Sequence, residues 1–321
     1  MNPVYSIAVT AKLTLNLHDL NNEGGEGNTI QTRTVTVFDE KGNAEVVNAI
    51  SGDMLKHIQA EYLQKSLKAE GQPLCSMCQV FNANRISGDD EYLKGIEGKN
   101  DAIALDLLIN TCALDDLEGV LVTAKRNLPR KSVIEFGWLT GIPDYVSTDT
   151  HLHTKFVPDS KKVPVGDEES DNGDDDKKNT GQNIYHRPLN SGLYALVFNI
   201  DAHRIGYNEV TEQYAIDNDQ RLARYQALLK SAVNTFVQLR GAQRSTQLPH
   251  LLGMEGVLTY TTCPEPAPII SALNSNYKDE TRKIVDAKNS MVNGSTVILN
   301  FASLSEFSQH IAELMKNTRP F

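Results

Sequence analysis

Cysteine, long apolar runs and a surplus of positive charge are all scarce in this chain. Its 321 residues include four cysteines, too few for a disulfide framework at this size, which favours a reducing compartment. No apolar run approaches the roughly 18 residues of a membrane span, and the N-terminus lacks the basic flank and cleavage site of a secretory signal. We therefore expect a cytoplasmic protein with no membrane partner, whose 40% apolar content can bury a sizeable core.

The deficit of basic residues argues at first against nucleic acid, because 31 basic and 41 acidic residues give a net charge of −10. Much of this acidity lies in one place, since residues 167–178 hold seven acids and two bases. Residues 221–250 instead hold five basic residues and no acid. A basic segment on an acidic protein suits one defined strand of nucleic acid and disfavours general adhesion to nucleic acids.

Hydrophobic periodicity predicts a mixed α+β protein. Residues 4–17 alternate apolar and polar side chains, as in a long strand with one buried face. Helices are predicted to begin at Ser51, to span about residues 220–240 and to follow Ser303, which starts a capping-box pattern. Further strands are predicted at residues 119–126, 192–204, 256–262 and 296–301. This order fits a βαββαβ plan, the ferredoxin-like or RRM-like arrangement, in one domain with large insertions.

Residues 150–208 predict a long hairpin that extends out of the sheet. Two arms flank a polar insert, and a strand-like apolar run follows them. The insert at 166–178 has almost no apolar residues, so it cannot offset the entropy of ordering and is predicted to be disordered. The arms carry cationic, amide and aromatic groups that suit a polyanion with exposed bases, namely His151, His153, Lys155, Gln182, Tyr185, His186 and Arg187.

The segment NAISGDMLKHIQ, which begins at Asn48, is a candidate phosphate site. Ser51 and Gly52 place backbone N–H groups at a predicted helix N-terminus, and Lys56 follows within about one turn. An ordinary capped helix explains the same pattern equally well. His57 is adjacent, although a histidine on a helix is more often simply packed.

Two further basic segments are candidate phosphate contacts. Arg130 and Lys131 lie in a predicted loop between strands, although a solvated turn has the same composition. Arg240 and Arg244 flank Gly241 at a predicted helix end, where a planar guanidinium can bind a phosphate through two hydrogen bonds. Alternatively, Arg240 only offsets the dipole of its helix.

Cys75 and Cys78 have the spacing of half a zinc site. Zinc needs two further ligands, and the sequence has no second C-x-x-C or H-x-x-x-H. Cys112, His18 or His57 would have to come from afar. We therefore interpret the thiols as structural and predict no cofactor.

These segments, in this order and at this spacing, resemble the DevR-type backbone subunit of type I CRISPR interference complexes, also called Cascade, and the I-B kind among them. The resemblance covers most of the chain and rests on NAISGDMLKHIQ, on the hairpin and on LRGAQRSTQLPHLL, which begins at Leu239. It implies a single domain, 1–321, with a modified RRM palm, a helical insertion at residues 73–113 and a thumb hairpin at residues 148–188.

The resemblance also implies a function. The subunit would bind CRISPR guide RNA, assemble head to tail with further copies of itself and with other Cascade subunits, and present the guide for pairing with target DNA. The segment from Asn48 to His57 would grip the guide backbone. The thumb would fold over the RNA held by the neighbouring copy.

A metal-dependent ribonuclease is the alternative function, since the related type III backbone subunits cut bound target RNA with an aspartate in the loop after the first strand. The corresponding loop here offers Asp19, Glu23 and Glu26. None of them matches the nuclease motif, because GGEGNT has Glu and Asn where a Gly-flanked aspartate is expected. The sequence therefore favours a non-catalytic RNA-binding subunit.

Overall fold

A computed structural model describes residues 1–21, 23–124, 126–155, 183–292 and 294–321 of the protein. Its strands are β1 (Asn2–Val4), β2 (Ser6–His18), β3 (Gly25–Glu26), β4 (Thr29–Ile30), β5 (Thr34–Phe38), β6 (Ala44–Ile50), β7 (Val120–Val122), β8 (Leu128–Arg130), β9 (Ile134–Phe136), β10 (Leu139–Lys155), β11 (Asn183–Ile200), β12 (Tyr207–Asn208), β13 (Gln213–Tyr214), β14 (His250–Thr261), β15 (Thr296–Phe301) and β16 (Thr318–Pro320). Its helices are α1 (Gly52–Ala69), α2 (Ser76–Gln79), α3 (Asp90–Gly95), α4 (Asp101–Thr111), α5 (Ala113–Glu118), α6 (Asn218–Val237), α7 (Tyr277–Met291) and α8 (Leu304–Asn317).

The largest sheet runs in the order β15, β14, β2, β11, β10, β6 and β5, with antiparallel neighbours along this path. The predicted long strand is β2, near the middle of this sheet. Because its side chains alternate between faces, Ile7 and Val9 are buried in one core with Leu55 of α1 and Phe236 of α6. The other face carries a smaller core around Tyr277 of α7.

The chain order of the main elements follows the predicted βαββαβ plan. Strand β2, helix α1, strands β10 and β11, helix α6 and strand β14 succeed one another, with insertions between them. The α+β class is confirmed by this combination of helices with an antiparallel sheet. The RRM-like description of the palm stays a prediction.

Helix boundaries follow from capping residues. Ser51 caps α1, since its Oγ accepts the Met54 N–H at 3.2 Å, and Ser303 caps α8 in the same way. Helix α6 begins with a capping box between Asp217 and Gln220, at the predicted position within a few residues. The strand predicted at 119–126 is only three residues long, as β7. Helix α7 and the β5–β6 hairpin were not predicted.

Between α1 and β7, helices α2 to α5 form an insertion, which extends to Glu118 at the end of α5. Asp116 of α5 ties it to the rest of the chain, because its carboxylate lies 2.6 Å from Arg130 and 2.7 Å from Arg224 of α6. All three side chains are buried, so the pairing is satisfied within the interior. Among the described helices, none is both long and apolar enough to cross a membrane.

Strands β10 and β11 form the long hairpin. They pair from Thr140 with Ala195 out to Lys155 with Asn183, with a register shift between Gly141 and Val146. Beyond Asn190 the arms leave β2, and among the described strands the short β4 pairs with β11 there. The predicted disordered insert at 166–178 and the candidate Gln182 lie outside the described residues.

Candidate nucleic-acid interface

A surface cleft of about 710 Å³ lies between α1 and the loop that follows α6. Its lining includes four basic side chains, from His57, Lys65, Arg240 and Arg244. The loop can lie this close because Gly241 packs directly on Leu20, where a Cβ would collide with the Leu20 backbone. The cleft therefore brings together three of the predicted site residues, His57, Arg240 and Arg244.

The two arginines of the cleft are held differently. The Arg240 guanidinium donates from Nε to Gln238 Oε1 at 3.0 Å and lies 5.4 Å from the centre of the Tyr62 ring. The Arg244 side chain is 56% exposed, and its Nη1 lies 3.6 Å from Glu61 Oε2. Arg244 is consequently the more available of the two for an external phosphate.

Glu61 is the acidic residue that lines this cleft. Its Oε1 accepts from Lys65 Nζ at 2.6 Å, and its Oε2 faces Arg244. Burial works to raise the pKa of Glu61, but the Lys65 hydrogen bond and the charges of Arg244 and Arg240 outweigh it and hold the pKa below its usual value. Glu61 is therefore ionised at neutral pH and competes with any anion for the same cations.

The N-terminus of α1 is closed off by the protein itself. The Ser51 N–H donates to Asn21 Oδ1 at 3.1 Å, and Ser51 Oγ is used by the helix cap. A Cβ on Gly52 would lie 2.6 Å from the Phe136 carbonyl oxygen, so the glycine is needed for packing. The ordinary capped helix is therefore the better reading of Ser51 and Gly52, and we do not retain them as phosphate contacts.

Lys56 also has internal partners. Its Nζ donates to Ser132 Oγ and, at 3.3 Å, to the Ile134 carbonyl, and it lies 3.8 Å from Glu118 Oε2. Burial lowers the pKa of Lys56, which the Glu118 charge partly opposes. The Lys56 ammonium thus pairs with the fully buried Glu118 carboxylate. If Lys56 bound an RNA phosphate instead, that buried carboxylate would lose its cationic partner.

Asn48 belongs to a buried polar network. Its amide donates to Thr32 Oγ1 at 2.7 Å and accepts from the Tyr194 hydroxyl at 2.9 Å. Since that hydroxyl donates to Asn48, His18 Nε2 carries the proton of the 2.8 Å contact to Tyr194. Burial lowers the pKa of His18 to about 4, so the ring is neutral. Asn48 therefore positions the loop after β2 and is not itself exposed to a ligand.

Arg130 and Lys131, which were predicted as phosphate contacts, have different surroundings in the structure. Arg130 is buried and donates to Asp116 and, at 2.7 Å, to Glu209, which leaves it no room for a phosphate. Lys131 is exposed, but it lines a different cleft that also contains Asp101, Glu135, Asp201 and Glu209. Neither residue lines the cleft between α1 and the loop that follows α6, which we name the cationic cleft.

One face of the hairpin carries His151, His153 and Arg187, whereas His186 pairs with Leu152 on the opposite face. His151 pairs with Arg187 and His153 with Tyr185, and residues opposite each other or two apart share a face of an antiparallel pair. Lys155, the next residue in this series, pairs with Asn183. The described part of the thumb thus places two histidines and Arg187 together.

The hairpin and the cleft are joined by Gln247, a residue that the sequence did not single out. Its amide donates to the Pro188 carbonyl at 3.2 Å, so the loop that carries Arg244 contacts the base of the thumb next to Arg187. Lys65 was also missed, although its position four residues after Glu61 was a visible signal for a paired helix face. We name the cleft, Gln247 and the hairpin face with His151, His153 and Arg187 together the cationic track.

The acids of the loop after β2 do not form an ion site with described ligands. Asp19 is 4% exposed, and burial raises its pKa to about 6 against the opposing charge of Arg187. Glu23 is paired with Arg33 at 2.7 Å. Among the side chains that the structure describes, this loop brings no group of three metal ligands together.

No curated protein matches the sequence. The fold is similar to a chain described as "CRISPR RNA-guided surveillance complex, pre-nicking", with a TM-score of 0.54 and 11% identity over 97% of this chain and 99% of that chain. A second "CRISPR RNA-guided surveillance complex" chain has a TM-score of 0.48 at 11% identity, covering 97% and 98% of the two chains. Csc2 of Thermofilum pendens has a TM-score of 0.38 at 12% identity, covering 96% and 81%.

A family model matches most of the sequence. The model is described as CRISPR-associated negative auto-regulator DevR/Csa2, and it matches residues 9–282, from within β2 to within α7. This span contains α1, the hairpin and the loop after α6, which carry the cationic track. The chain belongs to the DevR/Csa2 family of CRISPR-associated proteins.

Proposed function

We propose that this protein is a non-catalytic backbone subunit of a Cascade surveillance complex, which binds CRISPR guide RNA along the cationic track. Further copies assemble with it head to tail on the same RNA, together with other Cascade subunits. The guide is then presented for pairing with target DNA. The observation that carries the proposal is the contact of Gln247 with Pro188, which holds the loop beside the cleft against the base of the hairpin.

The composition of the cationic track favours contact with the RNA backbone. Its described side chains include arginines, a lysine and histidines, and the arginines and the lysine bind phosphates without reading sequence. A guide must keep its bases available for target DNA, so a subunit that holds only the backbone meets that need. The net charge of −10 disfavours general adhesion to nucleic acid elsewhere on the surface.

The hairpin supports assembly between copies. Its outer part projects beyond β2, and its two faces differ in chemistry. One face carries His151, His153 and Arg187, whereas the opposite face carries Leu152, which is 56% exposed, and the exposed His186. A projecting hairpin with this basic face can reach RNA that a neighbouring copy holds. Contacts of this heterologous kind do not close and therefore generate a filament.

The proposal is tested with single-stranded RNA and two arginine variants, Arg240→Ala and Arg244→Ala. The observed association constant, Kobs, falls as salt rises. Each loss of a phosphate contact should make the slope of log Kobs against log [salt] shallower by about 0.7, equally for RNAs of different sequence. Fluorescence anisotropy over a salt series measures this slope. Arg282→Ala is the matched control, because Arg282 is an exposed cation on α7, on the other side of the sheet.

Two results would contradict the proposal. One is an unchanged salt slope in both arginine variants, and the other is an equal change in the Arg282 control. An independent measurement is the sequencing of RNA that copurifies with the protein from cells carrying a CRISPR array. Short guides derived from the array repeats are expected.

A further inference from the structure

The helical insertion contains a compact group of four metal-ligating side chains, Cys75, Cys78, Cys112 and Asp115. Their sulfur and carboxylate atoms all lie within 4.8 Å of one another, and all four residues are buried. Four ligands around a tetrahedral zinc ion, each about 2.0–2.3 Å from the metal, are separated by about 3.3–3.8 Å. The observed separations are compatible with closure around one ion after small side-chain movements.

Local structure explains how the four residues meet. Cys75 caps α2, and Cys78 lies three residues later with its N–H directed at Cys75 Sγ at 3.4 Å. Cys112 joins α4 to α5, and Asp115 lies in the first turn of α5. The Ala113 N–H donates to the Pro73 carbonyl at 2.8 Å and holds the two segments together. Each segment contributes two ligands at a spacing of three residues, as C-x-x-C and C-x-x-D.

Asp115 lacks the partners that a buried carboxyl group requires. Its Oδ2 is approached by Cys78 Sγ at 3.3 Å and Cys75 Sγ at 3.6 Å, and it accepts the Ile86 N–H at 3.3 Å. Its Oδ1 is buried without a hydrogen-bond partner, and Arg85 Nη1 is 3.8 Å away. An unsatisfied buried carboxylate oxygen is costly unless a cation binds it.

We propose that Cys75, Cys78, Cys112 and Asp115 bind one structural zinc ion. Three thiolates select a soft or borderline metal over magnesium or calcium, which prefer oxygen ligands. Four protein ligands complete a tetrahedral shell and leave no position open for water, as in structural rather than catalytic zinc sites. Binding forms three sulfur–zinc bonds and one oxygen–zinc bond, and the thiol protons are released to solvent. The proposal replaces our interpretation of the thiols as structural groups without a cofactor.

The charge around the four ligands and the hydrogen bond to Asp115 also fit a bound zinc ion. Three thiolates and a carboxylate around Zn²⁺ carry a net charge of −2, which the nearby Arg85 reduces. The Ile86 N–H donates to the same carboxylate and fixes its orientation. Arg85 has a φ of +51° and Phe81 a φ of +54°, so two non-glycine residues of the enclosed loop adopt the left-handed region. A metal that joins the two segments would stabilise this strained loop.

The first test is the metal content of the purified full-length protein. Elemental analysis by mass spectrometry should find about one zinc per chain, which is the stoichiometry of a four-ligand site. Cys112→Ser and Asp115→Ala should each lose most of it, whereas Cys263→Ser should keep it, because Cys263 lies outside the cluster. Asp115→Cys supplies a fourth thiolate and should retain the metal.

The second test needs only the wild-type chain, in case the variants do not fold. A strong zinc chelator should lower the melting temperature, and added Zn²⁺ should restore it. Replacement by Co²⁺ should give the intense visible bands of a tetrahedral ion with thiolate ligands, and these bands should strengthen in Asp115→Cys. Wild-type protein without zinc and without a tetrahedral Co²⁺ spectrum under reducing conditions would overturn the proposal, as would iron in place of zinc. Neither measurement depends on RNA binding, so the zinc site and the proposed function can fail separately.

Discussion

At the scale of single residues, Glu61 sets the balance of charge in the cationic cleft. It is bonded to Lys65 at 2.6 Å and lies 3.6 Å from Arg244, so two of the three lysine and arginine side chains that line the cleft already have a carboxylate partner. An RNA phosphate must displace that partner before it gains the arginine. Glu61 therefore acts against binding, and its removal should have the opposite sign to the removal of Arg244.

We predict that Glu61→Gln strengthens RNA binding. Exposed ion pairs are worth about 0.2–1 kcal/mol, so freeing Arg244 and Lys65 should raise the affinity by about two- to fivefold at low salt. The effect should shrink as salt increases, because screening weakens both the ion pair and the phosphate contact. Anisotropy titrations at two salt concentrations measure it. Weaker binding in Glu61→Gln would mean that Glu61 positions the cations and does not compete with RNA.

The exposure of a basic residue could not be read from the sequence. Arg240 and Arg244 were predicted as phosphate contacts, and both line the cleft. Lys56 and Arg130 were predicted in the same way, but they pair with the buried carboxylates of Glu118 and Asp116. A basic residue near a helix start or in a loop has the same local pattern in both cases. What differs is a partner far away in the sequence, which only the fold supplies.

At the scale of elements, strong local signals gave correct predictions and weak ones did not. Alternation identified β2, and capping residues identified α1 and α8. Helix α7 was missed because only Tyr277, Thr281 and Val285 of its 15 residues are buried, a narrow stripe on a polar helix. The second half of the cysteine cluster was missed because its fourth member is an aspartate, and a search for a repeated C-x-x-C does not find C-x-x-D.

The hairpin permits a prediction about one face of an element. His151 and His153 lie on the face that carries Arg187, whereas Thr150 and Thr154 lie on the opposite face. We predict that the double variant His151→Ala with His153→Ala loosens or shortens the assembly on a long RNA. The cationic cleft is untouched, so a single chain should still bind a short RNA. Mass photometry of complexes on one guide measures the copies bound.

The double variant Thr150→Ala with Thr154→Ala is the control for this experiment. It removes the same number of side chains from the same strand, and it should leave the number of copies unchanged. Equal losses in both double variants would show that any disturbance of the hairpin prevents assembly, and that the histidine face has no special role.

At the scale of the whole molecule, two parts meet at the cationic cleft. The sheet with α1 and α6 supplies the cations, and the helical insertion supplies Phe81, which lines the cleft beside His57. The two parts are fixed to each other through Asp116, which pairs with Arg130 and Arg224 in the interior. The shape of the cleft therefore depends on a buried ion network and on how the insertion is held, and not only on the side chains that line the cleft.

The last prediction concerns chemistry in the assembled complex. We predict that complementary RNA bound to the guide stays uncut in the presence of Mg²⁺ or Mn²⁺. Asp19 is buried and Glu23 is bonded to Arg33, so neither of these two acids of the loop after β2 is freely available to a metal. A nuclease needs ionised carboxylates that are available to a metal and to the scissile phosphate. Gel analysis of end-labelled RNA over a time course tests this. Cleavage at regular intervals that Asp19→Asn abolishes, and that Glu255→Gln on the distant strand β14 preserves, would place the protein among the metal-dependent ribonucleases.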